Sequence, residues 1–100
     1  MFGIMRKIKR EVKDKTVYME VYAENNVAYR VVSGRIEMFG SEICTYGIEA
    51  EDHESGDIET IPDFSRNIED AVDFAEMLIS GKVPPKQLYN KALNYLCVSI

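Results

Sequence analysis

The hydrophobic period of this chain changes once, and that change constrains the fold more than any other feature. In the first half, apolar residues recur at every second position. Val17, Met19 and Val21 alternate with Tyr18, Glu20 and Tyr22, and Val27, Tyr29 and Val31 repeat the pattern. Period two is the signature of strands with one buried face. From Ile68 onward the spacing becomes three and four. Ile68, Ala71, Val72, Ala75, Leu78 and Ile79 fall on one side of a helix, with Glu69, Asp70, Asp73 and Glu76 on the other. Strands followed by helices predict an α+β domain with segregated halves.

Turn chemistry divides the first half. Asn25-Asn26 predicts a tight hairpin, because asparagine tolerates positive φ. Ser33-Gly34 reads as a second break, after which Ile36 and Met38 begin a short run. Gly40-Ser41 punctuates before Ile43 to Ala50, where Cys44, Tyr46, Ile48 and Ala50 share a face. Parallel crossovers need a dozen or more residues, so these short spacers imply an antiparallel sheet. It is expected to hold four to five strands over about residues 8–61. The count is open because Ile4, Ile8 and Val12 lie four apart, as on a helix, while residues 8–12 also read as an edge strand with Lys13-Asp14-Lys15 as its hairpin tip. Ile58, Thr60 and Ile61 predict a short last strand, ended by Pro62.

The second half predicts helices over about residues 66–80 and 85–97. Ser65 or Asn67 can cap the first, with Asp70 placed as in a capping box and Gly81 as the stop. Pro85 suits the first position of the second helix, and Val83 and Leu88 stand where a hydrophobic staple would. Leu88, Ala92, Tyr95, Leu96 and Leu93 form its stripe. This helical hairpin is expected to cover the sheet face bearing Val17, Met19, Val21, Val31, Ile36, Met38 and Ile48. The other face is then left with Tyr18, Glu20, Tyr22, Arg30 and Glu37.

One hundred residues suit a single domain spanning 1–100. Seventeen acids against 12 bases give a net charge of -5, which argues against a nucleic-acid binder. No apolar run approaches the roughly 20 residues of a membrane span. At the N-terminus Arg6, Lys7, Lys9 and Arg10 follow a short apolar stretch, the reverse of a signal peptide, so a cytoplasmic location is expected. Cys44 and Cys97 are too few and too far apart for a disulfide framework and read as reduced, buried thiols.

Catalytic chemistry finds little footing. His53 is the only histidine, and zinc needs three or four ligands in close pairs. Residues 52–59 have the acids of a calcium loop without its register. A Cys44–His53 nucleophile pair would need hydrogen-bond contact, yet strand rise separates the two by up to about 30 Å. The isolated glycines form no phosphate loop. No catalytic, cofactor-binding or metal-ligating residue is therefore assigned, and the protein is not expected to be an enzyme.

Segment order adds a resemblance. Tyr46-Gly47-Ile48-Glu49 precedes an acidic loop, and Ile61-Pro62-Asp63-Phe64-Ser65 leads into a helix. Gly81-Lys82-Val83-Pro84-Pro85 then joins the helices ahead of Gln87-Leu88-Tyr89. Over residues 29–96 this resembles a family of short uncharacterised proteins, a domain of unknown function, from clostridia and related Firmicutes. The resemblance implies a bacterial cytosolic setting and no particular chemistry.

Two surfaces stand above background. Residues 6–15 carry six bases against Glu11 and Asp14, whereas Glu49 to Glu59 carries six acids and no base. On the exposed sheet face Tyr18 and Tyr22 flank Glu20, and tyrosine is favoured at interfaces. The expected function is a small non-enzymatic protein-interaction or regulatory module. Its contact residues are Tyr18, Glu20, Tyr22 and Arg30, and its partner is another protein or a second copy in a homodimer, with neither nucleic acid nor membrane involved. The alternative is an acidic inhibitor or nucleic-acid mimic acting through Glu49–Glu59.

Overall fold

A computed structural model describes residues 12–98, with side chains through Tyr95. Strands β1 (Lys13–Tyr22), β2 (Val27–Met38), β3 (Ser41–Asp52) and β4 (Ile58–Ser65) form one antiparallel sheet in sequence order. Helix α1 (Ile68–Gly81), a 3-10 turn (Pro85–Gln87) and helix α2 (Leu88–Val98) follow. The α+β class and the antiparallel pairing are as the sequence predicts, with four strands among the described residues. The edge strand read at residues 8–11 lies outside them.

The first hairpin turns where expected. Asn26 takes φ 65°, its amide donates to the Ala23 carbonyl, and the Asn25 side chain accepts from the Val27 amide. Ser33-Gly34, however, is no break. Both residues pair with β3, opposite Tyr46 and Thr45, and β2 runs unbroken for 12 residues. Gly34 is required for a different reason, since a Cβ there would strike the Val12 side chain. The turn falls instead at Phe39-Gly40, with φ 52° and 80°. Because side chains alternate along an unbroken strand, Ile36 and Met38 share a side with Arg30, and Glu37 lies with Val31, the reverse of the expectation for all three.

Bulges explain the other departures. Lys13-Asp14-Lys15 is not a hairpin tip; it lies within β1, where Asp14 takes φ 55° beside a register shift. A second shift lets Val17 oppose Val32 while Met19 opposes Val31, leaving Tyr18 as the inserted residue. One extra residue reverses the alternation, so Val17 leaves the core side and is 52% exposed. On β4 the strand continues through Pro62 to Ser65 across a further shift. Proline is tolerated on such an edge strand beside a bulge. Gly47 makes the fit possible: a Cβ would lie 2.6 Å from the carbonyl oxygens of Ile61 and Pro62. The buried Thr45 hydroxyl donates to the Asp63 carboxylate at the same place.

A single core joins sheet and helices. Val27, Tyr29, Val31, Ile48 and Ala50 from β2 and β3 pack with Phe64, Ala71, Phe74, Ala75, Leu78, Val83, Leu88 and Ala92. Phe64 stacks on Phe74 at 4.7 Å between ring centroids. Buried apolar surface of this kind is the main favourable term holding the fold. Asn67 caps α1, its side chain accepting from the Glu69 amide at 2.9 Å. Asp70 closes no box with it; Ser65 mediates, accepting from the Asn67 amide and donating to Asp70. At the other end the left-handed residue is Lys82, φ 50°, one position beyond Gly81. Pro85 opens the 3-10 turn, and Val83 and Leu88 are both buried, as a staple requires. Leu93 is exposed, so it does not belong to the buried stripe.

Candidate functional site

The strand registers place three transverse rows on the side of the sheet that carries Arg30. The middle row crosses all four strands: Glu20 opposes Arg30, Arg30 opposes Glu49, and Glu49 opposes Thr60. Two residues along on one side lies the row Tyr22, Ala28, Glu51 and Ile58. On the other side Val17 opposes Val32, and Val32 opposes Gly47. Successive rows are about 6.6 Å apart, two strand rises.

Arg30 organises the centre. Its guanidinium donates to Glu20 at 2.5 Å, to Glu49 at 3.3 Å and to Glu51 at 2.8 Å, and its side chain is only 14% exposed. Thr60 donates to the second oxygen of Glu49 at 3.1 Å. These contacts hold the guanidinium pKa well above its ordinary value, the Glu51 bond contributing most and burial opposing. The same bond lowers the Glu51 carboxyl from its ordinary value. One cation meets three carboxylates, Glu51 reaching in from the neighbouring row, so the cluster carries an excess of two negative charges.

Beside it lies a groove of about 500 Å³ lined by Lys15, Thr16, Val17, Val32, Glu49, Thr60, Pro62 and Tyr89. It lies between the bulged β1 and the Pro62 stretch of β4, across Val32 of β2. Tyr89 closes one wall, its hydroxyl donating to the Thr60 carbonyl at 2.9 Å. Glu49 belongs to both the groove and the charged row, so an apolar floor and an acidic flank adjoin. Behind the row, Tyr22 packs on His53 with ring centroids 5.3 Å apart.

Of the residues singled out from the sequence, Glu20, Tyr22 and Arg30 share this side. Tyr18 is the exposed bulge residue of β1 beside them. Arg30 is more enclosed than a solvated strand arginine. Sequence reasoning missed Val17, Val32 and Thr60, and it placed Glu49 in a separate acidic segment rather than beside Arg30. Glu49 and Glu51 did alternate with Ile48 and Ala50, which was the available signal, but Val17 could not be placed without the bulge. Cys44 is exposed, against the expectation of a buried thiol. The Cys97 side chain lies outside those described. Cys44 lies near the start of β3 and His53 just past its end, so the strand keeps them apart. Among the described residues no three His, Cys, Asp or Glu side chains are grouped to hold a metal. No helix among them is long and apolar enough to cross a membrane.

Fold and surface together define a small α+β protein whose sheet packs the hydrophobic core on one side and carries the Arg30 cluster and its groove on the other. The chain belongs to a family of unknown function (DUF6514), which it matches over residues 8–95. No curated protein and no solved structure matches it.

Proposed function

We propose that the protein is a small non-enzymatic interaction module, working in the cytoplasm, that binds a protein segment on the Arg30 side of its sheet. In this reading the two helices act as a lid over the core side and leave the grooved side to the partner. The observation that carries it is the groove beside Val17 and Val32, which shares Glu49 with an Arg30 cluster holding two uncompensated carboxylates. Charge complementarity selects the occupant: a segment with an apolar side chain over Val17 and Val32 and a lysine or arginine near Glu20 and Glu51. Tyr22 and Tyr18 supply area at its border.

The alternative, an acidic inhibitor acting through Glu49–Glu59, draws less support from the geometry. Arg30 engages Glu49 and Glu51, Asp52 accepts the amides of its own loop, and Asp57 lies 3.8 Å from Lys86. The run is thus dispersed rather than presented as one strip.

A photo-crosslinking amino acid placed at Val17, and separately at Glu76 on the exposed side of α1, tests the proposal in the native host. A defined protein adduct at position 17 that is absent at position 76 supports it. Equal labelling from both positions, or an adduct to a second copy alone, refutes it.

A further inference from the structure

The turn between β2 and β3 carries two costly choices at one place. Phe39 is 97% exposed and has φ 52°, followed by Gly40 at φ 80°. Positive φ at both central residues is the type I′ pattern, in which asparagine, aspartate or glycine is normal at the first position. A bulky side chain there is strained. Just behind the turn Glu37 opposes Glu42 directly across the hairpin. Like charges so placed destabilise the pair. Arg35 answers Glu42 only at 3.8 Å, and Glu37 makes no ion pair among the described residues. Neither choice gains anything among the described residues. A partner would repay both, since an apolar cleft would bury the ring and basic groups at its rim would neutralise the glutamates.

We infer that Phe39 is an anchor that inserts into an apolar cleft, rimmed by lysine or arginine, on a protein partner. This site is separate from the groove beside Val17 and Val32 and stands or falls without it. The paired glutamates decide against a lipid surface, because anionic headgroups would repel them. Aromatic side chains that fill a pocket and lose all contact with water dominate binding energy at interfaces.

Two measurements on the full chain test the inference. Phe39→Gly relieves the backbone, and its melting temperature is expected to rise by about 4 °C, whereas Phe39→Ala keeps the strained φ and should not gain this. A photo-crosslinking phenylalanine analogue at position 39 is then exposed to three samples. They are the purified protein alone, vesicles of phosphatidylglycerol and phosphatidylethanolamine, and host lysate. The expected result is a protein adduct only in lysate, mapped by mass spectrometry to an apolar site flanked by basic residues. Excess wild-type protein should suppress it at least about tenfold better than excess Phe39→Gly. Labelling of lipid, labelling of a second copy, equal competition by both proteins, or no stability gain in Phe39→Gly each overturns the inference.

Discussion

Replacing Arg30 by methionine tests how the central row is held. Methionine keeps much of the aliphatic stem and its packing on the strand, so the change chiefly removes charge and three hydrogen bonds. Exposed ion pairs contribute about 0.2–1 kcal/mol each, and breaking a buried one costs about 3–5 kcal/mol. Arg30 at 14% exposure, with partners at 22–34%, falls between these cases. A loss of about 2 kcal/mol at pH 7 is expected, part of it repulsion among three carboxylates left without a cation. With a urea slope of about 1–2 kcal/mol/M for a domain of this size, the midpoint drops by about 1–2 M. The pH dependence separates electrostatics from packing. In the wild type the Glu51 carboxyl titrates below its ordinary value, so the stability it contributes is present above the unfolded pKa and is lost as pH falls through the folded one. In Arg30→Met three carboxylates face one another without their cation, so protonation relieves repulsion instead of breaking an ion pair. Acidifying from pH 7 to pH 4 therefore weakens the wild type while relieving the variant, and the gap between them narrows. Urea unfolding at both pH values measures it. A gap of equal size at pH 7 and pH 4 would show that the row is held by packing and would refute the electrostatic reading.

Three further substitutions probe the frame around the site. Gly47→Ala should destabilise by about 3 kcal/mol or more, because the added Cβ meets two backbone carbonyls that cannot swing aside; thermal unfolding reads this directly. Tyr29→Phe removes a buried hydroxyl that donates to the Val83 carbonyl at 2.7 Å, leaving that acceptor unsatisfied at a cost of about 1–3 kcal/mol. Hydrogen exchange near Val83 and Leu88 should accelerate with it. Asn67→Ala loses the α1 cap and should cost about 1 kcal/mol, seen as faster amide exchange confined to the first turn of that helix.

What could be read from the sequence was set by local signals. The switch from period two to period 3.6 placed the helices, and Asn25-Asn26 and Pro85 carry their conformations in their own chemistry. Glu20, Tyr22 and Arg30 were put on one side correctly because β1 beyond Met19 and β2 before Val32 are regular. The errors came where chain neighbours outside the local window decide. Gly34 looks like a break until Val12 is seen against it. Val17 looks like core until Tyr18 is counted as an extra residue. Pro62 looks like a terminator until Gly47 admits the bulged edge. Lys82 rather than Gly81 takes the left-handed position, a choice that either residue's type leaves undetermined. The groove arises from two of these non-local fits, and for that reason no motif announced it.

The chain of side-chain contacts from Glu20 through Arg30 and Glu49 to Thr60 spans the sheet from one rim to the other. Its electrical balance therefore depends on both rims staying attached. Unzipping β1 would withdraw Glu20 and bring the middle closer to neutrality, while loosening β4 would free an oxygen of Glu49 and sharpen its negative pole. Mechanical integrity at the margins and attraction for cations at the centre are in this way a single property.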